Sequence, residues 1–266
     1  MRRLPPHKRD TVRSILADIP ENCSALFLLN SASSVVVVDH EQSPKFLSIS
    51  YPHTIPPLYF LYGETDQQII SRAFLKRLKQ QADLVITRSL FPVVNRYWPV
   101  RFAIPVLFFA APSGWQPTPP SNFSVRLLQP EEAGLFEKTF ATEDWLWDLF
   151  GTPARLLTEG QVVAAFSDGD LASVATTLAY TNRYCELGVA TRPAYRGRGL
   201  ALACARLLSQ SQFEEFGRLP CWRTHTGNIG SWKTALRLGL IETPLSEQFV
   251  FVSNYAHVGA DARVVP

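Results

Sequence analysis

The sequence predicts an α/β (α+β) protein in two parts, a C-terminal domain on a mixed central sheet and a separate N-terminal α/β domain. Three observations carry this expectation. Short apolar runs of strand length alternate with segments of helical periodicity along the whole chain. A single stretch rich in proline, serine and glycine, APSGWQPTPPSNF from Ala111 to Phe123, interrupts them. The 266 residues, 46% apolar and 12% aromatic, also suffice for two packed cores. Because its prolines lack amide donors and favour extended backbone, the interrupting stretch reads as a linker. The boundary falls at Gln116–Pro117, giving domains 1–115 and 116–266.

In the first domain SALFLLN and SVVVVD read as short buried strands, KFLSISY as a half-buried one and LYFLYG as another. Ile69, Phe74, Leu75 and Leu78 set out a helical face between Asp66 and Gln81, with Thr65 or Asp66 as its cap. ADLVITRS and RFAIPVLFFA are two further strands.

The second domain is more regular. SVRLL is a strand, and Pro130 opens a helix with Glu131 and Glu132 in its first turn, where the helix dipole favours negative charge. A second helix is expected over Thr142–Phe150, stopped by Gly151. QVVAAFS and LASVATTLAY form a hairpin turning at Asp168-Gly169-Asp170. RYCELGVA is the next strand, with Cys185, Leu187 and Val189 on one face and Tyr184, Glu186 and Gly188 on the other. A helix with Leu200, Ala203, Cys204, Leu207 and Leu208 on one stripe follows, then a strand over Pro220–Thr224. Asn228 caps a last helix ended by Gly239, and EQFVFVSN closes the domain as a strand.

Composition excludes several function classes. A net charge of +3 is weak for a nucleic-acid binder, so no nucleic-acid partner is expected. Cys23, Cys185, Cys204 and Cys221 are widely spaced without a Cys-x-x-Cys pair, which predicts neither a metal site nor a disulfide framework and fits a reducing cytoplasm. The apolar patches are far below the roughly 20 residues of a membrane helix, and MRRLPPHKRD does not read as a secretory signal, so no membrane association is expected.

The turn RPAYRGRGLA, beginning at Arg192, is where chemistry concentrates. It fits neither a P-loop, lacking Gly-Lys-Ser/Thr, nor a dinucleotide fingerprint, which needs glycine or alanine where Leu202 stands. Gly197 and Gly199 would still allow close backbone approach to a ligand, and the first amides of the following helix have no internal acceptors. An anion cradle supplemented by Arg192, Arg196 and Arg198, or a solvated reversal, both satisfy the local pattern.

The longer string ELGVATRPAYRGRGLALACARLL resembles the acetyl-coenzyme A signature of the GNAT superfamily of N-acetyltransferases, through Val189, Pro193, Tyr195, Arg196, Gly197, Gly199 and Ala201. NIGSWKTALRLGL resembles that family's next helix, with Asn228, Ser231, Leu236 and Gly239 in place. The resemblance covers roughly Phe123 to Asn254 and implies a GNAT acyl-coenzyme A N-acyltransferase fold with acetyl-coenzyme A as co-substrate and no metal. It implies that backbone groups of Leu187, Val189, Ala190 and Thr191 pair with the pantetheine arm. It assigns the pyrophosphate to Arg196, Gly197, Arg198, Gly199, Leu200 and Ala201, and further coenzyme contacts to Asn228 and Ser231. A backbone amide near Val189 or Ala190, freed by a strand bulge, would hold the oxyanion.

The tyrosine that the family often uses as acid corresponds to Ala235 here, so the acid–base candidates are Glu186 and Tyr184 on the motif strand and His225 after the next. Glu186 is equally readable as a structural strand carboxylate, and His225 as a loop residue. In ATEDWLWDLFG, Glu143, Asp144 and Asp148 beside Trp145 and Trp147 would meet a cationic amine by charge and aromatic contact; the alternative is an amphipathic helix with its tryptophans in the core and its acids in water. The expected function is acetyl transfer to a primary amine of a small molecule or amino acid-like metabolite, by a monomer or homodimer. A non-catalytic acyl-coenzyme A sensor or partner-binding protein is the alternative. The N-terminal domain is a candidate degenerate copy of the same fold.

Overall fold

The computed structural model describes residues 1–13, 15–51, 54, 56–63, 72–78, 81–117, 124–167 and 169–255. They fall into two compact units. Unit 1 is Met1–Leu107 with His225–Gly227 and Pro244–Pro266, and unit 2 is Phe108–Thr224 with Asn228–Thr243.

Unit 1 contains β1 (Arg2–Leu4), α1 (Cys23–Asn30), β2 (Val35–Val38), β3 (Phe46–Tyr51), β4 (Leu58–Gly63), α2 (Arg72–Arg77), β5 (Asp83–Thr87), α3 (Phe91–Tyr97) and the start of β6 (Phe102–Ala110). Strands β1 to β4 form an antiparallel meander, and β5 joins β4 in parallel. Parallel neighbours need a crossover connection, and α2 lies in it. Phe46, Leu61, Leu84, Ile86, Val94 and Val252 are among the buried side chains of its core.

Unit 2 contains the end of β6, then β7 (Val125–Leu127), α4 (Ala133–Thr139), α5 (Pro153–Glu159), β8 (Val162–Ser167), β9 (Asp170–Tyr180) and β10 (Tyr184–Thr191). There follow α6 (Leu200–Phe216), β11 (Leu219–His225), α7 (Ile229–Arg237) and β12 (Ile241–Glu242). Again β7 to β10 form an antiparallel meander, and β11 joins β10 in parallel across α6. The end of β6 and then β12 complete the sheet. In unit 1 the corresponding places are taken by β13 (Phe249–Ser253) and the start of β6. The same strand plan is therefore laid down twice.

Several local expectations change. SALFLLN is helix α1, not a strand: a short, almost wholly buried apolar run has no readable period, and its leucines and alanine favour helix once packing permits. KFLSISY forms β3 but is buried at all six positions rather than on one face. Thr142–Phe150 is not a regular helix. It holds a single 3-10 turn over Asp144–Leu146, and the α-helix begins only at Pro153, where the Thr152 hydroxyl accepts from the Arg155 amide. Helix α3 and strand β12 are additions. Of the helix expected over 66–81, Arg72–Arg77 is described, while Thr65, Asp66 and hairpin residue Asp168 lie outside the described residues.

The linker also differs in part, 118–123 being outside the described residues. Trp115 is buried, meets Phe213 edge-on at 5.9 Å and donates its indole N–H to the Leu238 carbonyl at 3.3 Å. Residues 108–115 thus pack within unit 2, and β13 belongs with unit 1, where it pairs with β5 and β6. Strand pairing, which composition does not reveal, draws these lines away from Gln116–Pro117.

Candidate functional site

The centre of unit 2 is the place where β10 and β11 part. Their parallel ladder runs Tyr184↔Leu219, Cys185↔Pro220 and Glu186↔Cys221, and ends there, although both strands continue. On its other edge β10 stays paired with β9 as far as Thr191↔Ser173. The Arg192 amide donates to the Ala172 carbonyl at 3.0 Å, which fixes the alternation of the antiparallel ladder. Gly188 and Ala190 therefore direct their backbone groups toward β9, and Leu187, Val189 and Thr191 direct theirs into the fork. Two contacts agree: Ser173 Oγ donates to the Ala190 carbonyl at 2.9 Å, while Arg196 Nε reaches the Thr191 carbonyl at 3.2 Å. Of the two expected oxyanion amides, that of Val189 faces the fork and that of Ala190 faces β9.

The expected bulge is present, but on the neighbouring strand. The register of β9 against β10 shifts between Glu186 and Leu187, where one step on β10 spans Ala179 to Thr177 and leaves Leu178 as the extra residue. A Cβ on Gly188 would stand 2.7 Å from Leu178 Cδ2, so glycine is required there to admit the displaced leucine. What frees the edge of β10 is the fork with β11.

Beyond Thr191 the chain makes a 3-10 turn over Pro193–Tyr195 and enters α6 through Gly197 and Gly199, at φ +77° and +81°. Both values lie in the left-handed region that glycine adopts without penalty. Gly199 caps α6 without a side-chain hydrogen bond, so the first amides of this 17-residue helix meet no side-chain acceptor from their cap. The arginines brace the turn. Arg196 binds Thr191, Arg198 Nη2 donates to the Ala194 carbonyl at 3.3 Å, and Arg192 lies 3.7 Å from Asp170, which also accepts from the Tyr195 hydroxyl at 2.8 Å. Residues 196–199 are exposed.

On α7 the Asn228 side chain accepts from the Ser231 amide at 3.1 Å, the expected cap, and Ser231 Oγ accepts from Trp222 Nε1 at 2.9 Å. Ala235 is fully buried.

The three acid–base candidates separate. Glu186 is buried and ion-paired with Arg223 on β11, Oε1 to Nε at 2.9 Å. Tyr184 is buried at the closed end of the ladder, with the Arg183 guanidinium over its ring at 5.1 Å. Val189 lies five residues further along β10, about 16 Å at strand rise. His225 clusters with unit 1.

The 3-10 turn Asp144–Leu146 is tied to β9 by the Thr176 hydroxyl, which donates to the Leu146 carbonyl at 3.4 Å. Thr176 is the register partner of Gly188, so this turn lies over the face of β10 that carries Glu186 and Gly188. Trp145 is exposed and donates to Glu143 Oε2 at 2.6 Å. Trp147, expected at the substrate, is instead a core residue packed edge-on against Phe136 at 5.1 Å. Asp148, also expected there, is half-buried. Burial, with the nearby Asp144 charge second, pushes its carboxyl up to about 7. Asp144 and Asp148 stand at helical spacing in the sequence, which is the signal that points to the pair. Arg223 gives no comparable sequence signal.

All four cysteines are buried and unpaired with one another, and the described residues hold no metal-ligating cluster and no helix long and apolar enough to cross a membrane.

Comparison with known proteins places this geometry. A family model described as GNAT acetyltransferase matches residues 116–244. A curated relative, an uncharacterized N-acetyltransferase in the mutA 5' region of Streptomyces virginiae, is 34% identical over 93 residues, 35% of this chain. The match spans 39% of that relative's length. Among solved structures, a GCN5-related N-acetyltransferase-like protein from Streptococcus suis matches at TM-score 0.71 and 20% identity, over 94% of this chain and 100% of its own. A GCN5-related N-acetyltransferase from Kribbella flavida matches at 0.62 and 15%, over 90% and 95%. At these identities the structural likeness speaks for the fold.

Proposed function

We propose that the chain, whose residues 116–244 match the GNAT acetyltransferase family model, transfers an acetyl group from acetyl-coenzyme A to a primary amine of a small molecule or amino acid-like metabolite. One observation carries this reading: a single segment, Leu187 to Leu200, offers both an open strand edge and a left-handed glycine turn into a long helix. The edge at Leu187 and Val189 suits an extended amide-bearing arm that adds as a strand. The amides of Leu200 and Ala201, at the positive end of the α6 dipole, suit a pyrophosphate, and Gly197 and Gly199 let it approach. Arg196 and Arg198 hold the turn in shape and add positive charge around it. Asn228 and Ser231 contact the coenzyme from α7.

In this account the neutral amine attacks the thioester carbonyl, the Val189 N–H stabilises the oxyanion, and the carbon–sulfur bond breaks to release the coenzyme thiolate, which takes up the proton that the newly acylated nitrogen gives up. Asp144 and Trp145 receive the cationic amine by charge and ring contact. We assign its proton to Asp148, whose carboxyl is raised to about 7 by burial first and the Asp144 charge second. The doubled strand plan supports unit 1 as a degenerate copy of the fold serving as scaffold, since Glu64–Ser71, between its β4 and α2, contains no glycine.

The test is free-thiol release from acetyl-coenzyme A with a panel of primary amines. Asp144→Asn should raise the amine KM and leave acetyl-coenzyme A affinity unchanged. A second reading, a sensor that binds acyl-coenzyme A without turnover, is favoured by the buried Ala235 at the usual tyrosine position. Saturable coenzyme binding with no thiol release across the panel would select it.

A further inference from the structure

The fork between β10 and β11 needs something to fix where it starts. Glu186 is the last residue of β10 in the ladder, and its register partner is Cys221. Its side chain nevertheless reaches diagonally to Arg223, two residues further along β11, where the ladder has already ended. Continued register would set Arg223 opposite Gly188, two places beyond Glu186. The Glu186 side chain is 3% exposed and that of Arg223 20%, so the ion pair is largely screened from water. Such a pair is a costly way to gain stability, because both ions lose hydration, and its best-attested use is to specify one arrangement of the chain. A carboxylate that takes a proton from an amine must meet that amine or a bridging water. Oε1 of Glu186 meets Arg223 Nε instead.

We propose that Arg223 is a positioning residue: its ion pair with Glu186 clasps β10 to β11 at the last rung and so sets where the Leu187–Val189 edge opens to the acyl-coenzyme A arm. This rests on the acyl-coenzyme A reading above. Glu186 then acts through Arg223 on strand geometry.

The test uses the full chain as Arg223→Lys, Glu186→Gln and the apolar pair Glu186→Met with Arg223→Met. The readouts are acetyl-coenzyme A affinity by calorimetry, kcat and KM in the thiol assay, and amide hydrogen exchange at Leu187–Val189. The clasp predicts that each single variant raises acetyl-coenzyme A Kd and KM about tenfold, as misplacement of a binding edge should, with kcat changed far less. It also predicts that the apolar pair recovers affinity and kcat to within about threefold of the parent, because a buried ion pair is often replaceable by packed apolar groups. The proposal is overturned if Glu186→Gln removes kcat with affinity intact and the apolar pair does not restore it, for then Glu186 acts on the reacting atoms. Should the parent bind no acyl-coenzyme A, the functional reading falls separately. The clasp is then decided by exchange alone: Arg223→Lys should speed exchange at Leu187–Val189 and spare β9, and unchanged exchange there would refute it.

Discussion

Asp148→Asn probes the proposed proton acceptor without touching the coenzyme turn. Asp148 is partly buried beside Asp144, and burial followed by that like charge raises its carboxyl from 3.8 to about 7. The folded protein therefore holds a proton that the unfolded chain has released throughout the interval between those values. Stability is fully expressed below the unfolded value, falls as pH rises toward 7, and levels off above it. A fully shielded group would lose about 4 kcal/mol over that interval, but Asp148 keeps enough solvent access that screening reduces this to about 1–2 kcal/mol. Asparagine cannot ionise, so the loss disappears in the variant. Urea unfolding of both proteins at pH 5 and pH 8 measures it. Because pH 5 to 8 crosses about two of the roughly three pH units between those values, the stability difference, variant minus parent, should be about 1 kcal/mol more favourable at pH 8 than at pH 5. An equal difference at both pH values would refute the raised carboxyl. It would also remove the reason for naming Asp148 as proton acceptor.

The remaining predictions address single elements. Gly199→Ala puts a Cβ on a residue at φ +81°, which should cost about 1–2 kcal/mol in urea unfolding and weaken acetyl-coenzyme A binding in calorimetry. Trp147→Ala should lose about 3–5 kcal/mol of stability because it empties a core position, whereas exposed Trp145→Ala should stay within about 0.5 kcal/mol and raise only the amine KM. Asn228→Ala removes the α7 cap and should cost about 1 kcal/mol by thermal or urea unfolding.

The parts of the fold legible in the sequence were those with a strong period or a specific turn residue. β8 to β10, α6 and the Asn228-capped α7 follow from alternation, an apolar stripe and a cap. Gly197 and Gly199 were legible for the same reason, since a left-handed turn before a helix leaves a glycine signature. What stayed hidden depends on pairing between distant segments. SALFLLN becomes a helix because it is buried nearly all round, and β13 leaves its sequence neighbours to pair with β5 and β6. The ion-pair partner of Glu186 was hidden for the same reason, because Arg223 lies 37 residues away and meets it only through the register of β10 and β11. Trp145 and Trp147 differ by two positions and look alike in sequence. The 3-10 turn, in place of the expected helix, turns one outward and buries the other.

The most direct test of the account is titration of the full chain with acetyl-coenzyme A, read by calorimetry together with hydrogen exchange. The account predicts one saturable site, with protection of the Leu187 and Val189 amides in the fork and of the first α6 amides at Leu200 and Ala201. No saturable heat, or binding that protects other segments and leaves these amides unchanged, would contradict it.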